Sequence, residues 1–281
     1  MGTEESTLGI LAGGGTLPRR LADRAGSTGR PVFMIAFQGQ TDPATVADLP
    51  HAWVKMGEAG RTIGELKRAG VTDLVMAGPV RRPSWSELGL DWWGVRFVAR
   101  IGARALGDDG LLKAVAKALE DEGFRLVGAH DLLGDGMVSS GVLGKHAPDA
   151  TALADIAHGV TVARALGLAD VGQAVVVQQG LVLGVEAIEG TDALLERVKD
   201  LRRAGPGGVL VKIAKPQQDR RVDLPTIGPG TLDRAIAAGL AGVAVEAAGT
   251  ILIDAAACIT AADQAGLFLI GIDPAAELEA K

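Results

Sequence analysis

The sequence predicts an α/β protein of two domains, the first Rossmann-like and built on a parallel sheet, the second an α/β domain with a mixed sheet. Three observations carry that expectation. Short apolar runs alternate with segments of helical period along nearly the whole chain, which is the pattern of βαβ units. Forty of the 281 residues are glycine, about twice the usual ~7% share, as a fold with many tight turns requires. At about 150 residues per domain, the length suits two cores rather than one.

Taken in order, residues 8–12 form an apolar run, Gly13-Gly14-Gly15 interrupts it, and 17–25 carries apolar residues at helical intervals up to Gly26. That is strand, glycine loop, helix. Residues 31–37 read as a second buried strand, 64–69 as the end of a short helix and 73–77 as another strand. Between 84 and 106 the texture changes. Trp85, Trp92, Trp93 and Phe97 crowd together, while Arg96, Arg100 and Arg104 recur every four residues and share one helical face. An amphipathic helix over 111–122 and a strand over 124–129 follow. Residues 134–148 hold Gly134, Gly136, Gly141 and Gly144 beside a serine pair, without period. The domain boundary is placed there: a Rossmann-like domain over 1–133, a Gly-rich linker over 134–150 and a C-terminal α/β domain over 151–281. The second half reads as a helix around 155–166 and a hairpin-like pair at 173–178 and 181–188. Thr191 or Asp192 is placed to cap a helix over 193–203. A strand at 209–214 runs into a polar loop over 215–230. A helix at 232–240, two strands around Ala248-Gly249, a helix near 256–265 and a last strand at 267–272 complete the unit.

Composition excludes several functional classes. Aromatic residues are 3% with no tyrosine, which removes the stacking surface that single-strand nucleic-acid binders use. A net charge of -6 argues further against nucleic acid as a partner. Cys258 is the single cysteine, so neither an intramolecular disulfide nor a cysteine metal cluster can form, and a reducing cytoplasm is the expected setting. The acidic start and the lack of any 18-residue apolar run predict neither export nor a membrane span.

Chemistry concentrates in three places. Gly13, Gly14 and Gly15 lie between a strand and a helix, where backbone N–H groups and the helix dipole can receive a phosphate or nucleotide. A dinucleotide fingerprint is absent, because Pro18 occupies the third glycine position and Phe37-Gln38 supplies no acid for a ribose. An NAD-linked oxidoreductase is weakened accordingly. Second, the Trp and Arg segment over 81–104 has five arginines against Glu87 and Asp91; it suits acyl chains and anionic head groups, or else tryptophans in a core under a solvated basic face. Third, Lys212, Lys215, Asp219, Arg220, Arg221 and Asp223 fall within twelve positions. Phosphoryl chemistry uses this mixture: carboxylates hold a divalent cation, and cations neutralise the transferring group. Glu186, Glu189 and Asp192 are further acids for the same site, or surface ion pairs and helix caps. His51, His130, His146 and His158 are too scattered to suggest a metal site.

Residues Glu186-Ala187-Ile188-Glu189-Gly190-Thr191-Asp192, Val211-Lys212, Lys215-Pro216 and Gln218-Asp219-Arg220-Arg221-Val222-Asp223-Leu224-Pro225-Thr226-Ile227-Gly228 resemble the UDP-2,3-diacylglucosamine pyrophosphatases of the calcineurin-unrelated type. Residues 8–15, Gly107-Asp108-Asp109, 171–176 and 265–268 agree as well. The resemblance implies a two-domain, Mg²⁺-dependent hydrolase of lipid A biosynthesis, Mn²⁺ being an alternative metal. It would split UDP-2,3-diacylglucosamine into UMP and 2,3-diacylglucosamine 1-phosphate (lipid X), with water attacking the β-phosphorus at a site between the domains. Carried onto this chain, Asp223 is the first candidate for metal binding or catalysis. Asp219 and Glu189 join it as metal ligands, and Asp219, Lys215 and Lys212 as catalytic groups. Gly13, Gly14, Gly15, Gly78, Thr191, Gln218 and Thr226 are the substrate-binding candidates. Gln217 stands where the family pattern leads one to expect glycine. A peripheral protein on the cytoplasmic face of the inner membrane follows as an expectation, with the oligomeric state left open and a homodimer as one option. The alternative from another class is a non-catalytic nucleotide-sugar or lipid carrier.

Overall fold

The structure is a computed structural model that describes residues 6–81, 89–101, 108–134 and 136–279. The chain divides into two compact units, Met1–Gly134 with Asp219–Asp223, and Asp135–Gln218 with Leu224–Lys281. The first therefore takes in five residues from far along the chain.

In the first unit the elements run β1 (Thr7–Ala12), α1 (Leu17–Ser27), β2 (Val32–Phe37), α2 (Pro43–Val46), β3 (His51–Val54), α3 (Ala59–Arg68), β4 (Val71–Ala77), α4 (Trp92–Ile101), α5 (Asp108–Asp121), β5 (Arg125–Leu126) and α6 (Ala129–Leu133). The strands form one sheet in the order β3-β2-β1-β4-β5, and every pairing is parallel. This is the Rossmann-like arrangement expected. β2 and β4 flank β1 on opposite sides, so the strand order reverses there, and ligands of open α/β sheets bind outside the carboxyl ends of the strands at such a point. The expected strand over 124–129 is only two residues long, since Gly128 and Ala129 turn into α6. The apolar stripe of α3 meets β2, β4 and α5 through Ile35, Ile63, Leu66, Leu74, Ala116, Leu119 and Phe124, and Val222 completes this core. On β4, Asp73 is buried, and Arg125 (2.6 and 2.7 Å) and Arg30 both donate to it. The two guanidiniums, Arg125 first, hold its carboxyl below the usual range against the opposing effect of burial.

The second unit runs β6 (Gly141–Val142), α7 (Ala150–Leu168), β7 (Ala174–Gln178), β8 (Leu181–Val185), α8 (Gly190–Lys199), β9 (Val209–Lys212), β10 (Thr226–Ile227), α9 (Pro229–Ala237), β11 (Gly242–Glu246), β12 (Ile251–Leu252), α10 (Ala255–Ala265), β13 (Phe268–Ile272) and α11 (Pro274–Glu279). Its main sheet has the order β6-β13-β11-β9-β7-β8. β9, β11 and β13 are parallel while β6, β7 and β8 run against their neighbours, so the sheet is mixed. Alternation sorts the strand residues into two layers. Val209, Val211 and Ile213 face α7 through Ile156, Val160 and Ala163; Leu210 and Val176 face α8, α9 and α10 through Leu194, Leu232 and Cys258. Within the segment 134–150, expected to be a Gly-rich linker, residues 137–142 bond into this unit. β6 pairs with β13, Met137 bridges Ile251 and the Val138 N–H donates to Thr250 O at 3.0 Å.

Candidate active site

In the first unit, two loops interlock at the carboxyl ends of β1 and β4. The Gly13 N–H donates to Ala77 O and the Gly14 N–H to Pro79 O, each at 2.8 Å. A Cβ on Gly13 would lie 2.6 Å from the carbonyl oxygens of Gly78 and Pro79. Gly78 has φ +85°, and a Cβ there would overlap the Gly14 carbonyl oxygen, so only glycine fits. The N–H groups of Gly13 and Gly14 are thus spent on loop packing, and the next amides along stand at the entry to α1. Thr41, buried after β2, receives the Phe37 N–H at 2.9 Å and donates to Ala12 O. Gln40 exchanges hydrogen bonds with the Arg81 backbone at 2.9 and 3.2 Å. Loops after three neighbouring strands are thereby tied together around the point where the strand order reverses.

The first unit also contains Asp219 and Asp223. Val222 between them is 8% exposed and packs into the first unit's core, and Arg221 bonds Glu120 of α5 at 2.8 Å. The segment forms one turn, in which the Asp223 N–H donates to Asp219 O at 3.1 Å. The Arg221 side chain grips both Asp219 oxygens, at 3.1 and 2.8 Å, and its backbone N–H adds a third bond at 3.0 Å. That guanidinium, with Lys113 nearby, keeps the Asp219 carboxyl below the usual range and hence charged. A carboxylate has about four lone-pair positions, so three bonds leave part of its capacity for another ligand.

In the second unit the predicted residues gather at the carboxyl end of β9. Lys212 is 7% exposed, and its ammonium donates to Thr191 Oγ1 at 2.8 Å and to Thr226 O at 3.3 Å. The sequence leads one to expect Thr191 or Asp192 to cap a helix beginning at 193; α8 instead begins three residues earlier, at Gly190, so both lie inside its first turn, and the Thr191 hydroxyl turns inward to donate to Glu186 Oε1 at 2.5 Å. Glu186, 6% exposed, accepts the Gln173 N–H on its other oxygen at 3.0 Å. Lys215 is placed differently. Its ammonium pairs with Asp170 at 2.6 Å, while its backbone N–H meets Gln218 Oε1 at 2.9 Å and its carbonyl accepts the Gln218 N–H. Glu189 pairs with Arg197 at 2.7 Å on the exposed start of α8. The structure therefore brings Lys212, Thr191 and Thr226 together, with Lys215 and Gln218 as a second pair. Asp170 was missed by sequence reading. Its φ of +54° follows from the turn after α7, and an isolated aspartate in a turn carries no sequence signal of its partner.

The Trp and Arg segment falls partly outside the described residues, including Trp85 and Arg104. Within α4, Trp93 stacks on Phe97 with centroids 5.5 Å apart and its indole N–H donates to Glu122 at 3.3 Å. Trp92 is 76% exposed, and Arg96 is exposed beside it.

The profile of LpxI N-terminal domains matches residues 7–135, and that of LpxI C-terminal domains matches residues 139–270. A protein of Caulobacter vibrioides named UDP-2,3-diacylglucosamine pyrophosphatase LpxI is 44% identical over 274 residues, covering 95% of this chain and 98% of its own. The chain belongs to the LpxI family. The glycine interlock lies in its LpxI N-terminal domain, and the Lys212 and Lys215 groups in its LpxI C-terminal domain. Among the described residues of this LpxI chain, no three His, Cys, Asp or Glu side chains gather closely enough to cage a metal ion. Mg²⁺ is usually held by one or two carboxylates, with water and substrate phosphates filling the other positions. The Asp219 and Asp223 pair in one turn fits that donor set in type and number. Glu189, the third expected ligand, is ion-paired with Arg197. No helix among the described residues is long and apolar enough to cross a membrane.

Proposed function

We propose that this protein hydrolyses the pyrophosphate bond of UDP-2,3-diacylglucosamine, releasing UMP and 2,3-diacylglucosamine 1-phosphate for lipid A biosynthesis. The observation that carries the reading is the agreement, over nearly the whole of both chains, with a relative named for this activity. The residues supply suitable chemistry. Asp223 and Asp219 hold Mg²⁺, or Mn²⁺ in its place. When bound, such an ion neutralises phosphate charge and lowers the pKa of a water molecule. Lys212 donates to a phosphate oxygen and offsets the charge that builds as the bond to the leaving UMP breaks. The amides at the start of α1 and the Gly78 loop receive the nucleotide part. Water attacks the β-phosphorus, so the new oxygen ends in lipid X. The protein acts peripherally on the cytoplasmic face of the inner membrane, where exposed Trp92 and Arg96 meet apolar chains and anionic head groups.

Incubation with UDP-2,3-diacylglucosamine and Mg²⁺, followed by thin-layer separation, tests the reading. UMP and lipid X are expected, and in ¹⁸O-water the label is expected in lipid X. Intact substrate after prolonged incubation would refute the activity. Retention of substrate without turnover would make the protein a carrier.

A further inference from the structure

Lys212 differs from Lys215 in one respect that bears on catalysis. Lys215 already has a carboxylate partner in Asp170. Among the described residues Lys212 has two neutral acceptors and no carboxylate in direct contact. A buried ammonium without a counter-charge is costly to maintain, and one of its three N–H groups is left without an acceptor there. The nearest negative charge on its hydrogen-bond chain is Glu186, one hydroxyl away.

The direction of that chain is forced. The Glu186 carboxylate can only accept, and it does so from the Gln173 N–H and the Thr191 O–H. Thr191 has a single hydroxyl proton, so once it is given to Glu186 only lone pairs face Lys212, which must donate. Each bond thus fixes the next. We infer that Glu186 is a positioning residue: through Thr191 it holds the Lys212 ammonium so that its remaining N–H is presented to an anionic oxygen of the substrate's pyrophosphate. This rests on the hydrolase reading above and deepens it. Glu186 itself touches no substrate. Its place follows from β8 and α8, which bring residues 186 and 191 to the carboxyl end of β9, where Lys212 leaves the sheet.

Glu186→Gln tests the polarity at nearly constant shape. If its amide oxygen keeps the Gln173 N–H, its NH₂ faces Thr191 and donates to it. The threonine proton then swings toward Lys212 and repels it. Competition by inorganic pyrophosphate and kcat/KM for UDP-2,3-diacylglucosamine are both measured. Glu186→Gln and Thr191→Val are each expected to weaken both by about 10- to 100-fold, the usual effect of losing a hydrogen bond to a charged group. Thr191→Ser, which restores the hydroxyl, is expected to recover most of the loss seen in Thr191→Val. A merely structural role would not produce that rescue. If Glu186→Gln does not fold, the Thr191 pair decides alone. Wild-type pyrophosphate affinity in folded Glu186→Gln or Thr191→Val overturns the inference while leaving the hydrolase intact. A wild-type protein that does not split the substrate removes the functional reading as well.

Discussion

Gly78→Ala isolates the energetic worth of the interlock between the two glycine loops. Alanine at φ +85° meets the left-handed penalty, and its Cβ also overlaps the Gly14 carbonyl oxygen, which belongs to backbone and cannot rotate away. Gly29 provides the control within the same unit: its φ is +82°, with nothing within 4 Å of an added Cβ. Gly29→Ala is expected to cost roughly 1–2 kcal/mol, the left-handed penalty alone. Gly78→Ala is expected to cost that plus about 1–3 kcal/mol for the forced displacement, by analogy with overpacked sites. Urea unfolding read by tryptophan fluorescence suits the measurement, because Trp53, Trp85, Trp92 and Trp93 are the only tryptophans and all belong to the first unit. With a slope of about 1–3 kcal/mol per molar urea, the extra term lowers the midpoint by roughly 1 M. Equal midpoints for the two variants would refute the interlock as a packing constraint.

Asp223→Ala is expected to stay folded and to lose about 10³-fold in kcat, the several kcal/mol that a metal-binding carboxylate contributes; product formation beside a circular dichroism spectrum checks it. Exhaustive treatment with EDTA is expected to abolish turnover, and Mg²⁺ or Mn²⁺ to restore it. Asp73 has a folded-state pKa held below its unfolded value by Arg125 and Arg30. Its contribution is therefore complete above the ordinary carboxylate value of about 4 and is lost as pH falls from there through the folded value, where the unfolded chain binds more protons. Urea midpoints between pH 6 and 3 should fall less steeply in Asp73→Asn than in wild type. That variant should also be less stable at pH 7 by about 3 kcal/mol, the lower end for breaking a buried pair, because Arg125 remains solvated. Trp92→Ala with Arg96→Glu is expected to weaken sedimentation with anionic vesicles at low salt, the difference shrinking at 0.5 M salt as screening takes over.

The periodic parts of the molecule were open to sequence reading. Residues 8–12 and 31–37 are apolar because their strands lie inside a parallel sheet, and Gly13 to Gly15 marked the turn out of β1. β3 went unread because His51–Val54 is too short for a period to show. In the site, Lys212, Thr191 and Thr226 were named and do converge, but the role of Thr191 depended on where α8 begins, which a Glu-Gly-Thr-Asp run does not specify. For Glu186 the sequence leaves a site acid and a surface ion pair or cap equally open. The side chain is buried because the Gln173 N–H and the Thr191 hydroxyl supply its bonds, and partners 13 and 5 residues away have no local signature. In the Trp-Trp pair, adjacent helical residues point about 100° apart, so Trp93 packs inward against Phe97 while Trp92 meets solvent.

The five-residue excursion at Asp219–Asp223 has a bearing on how the protein is made. Val222 is a piece of the first unit's core that the ribosome delivers only after residues 135–218 have been synthesised. At about 5–20 residues per second the N-terminal unit waits roughly 4–17 s with one member of its core cluster still missing. A nascent chain stalled before residue 219 should accordingly be more open to protease in that unit than one stalled well beyond 223. A fragment cut at Gly134 lacks that member permanently. The carboxylates proposed to serve the reaction thus arrive on the same short stretch whose Val222 completes the core.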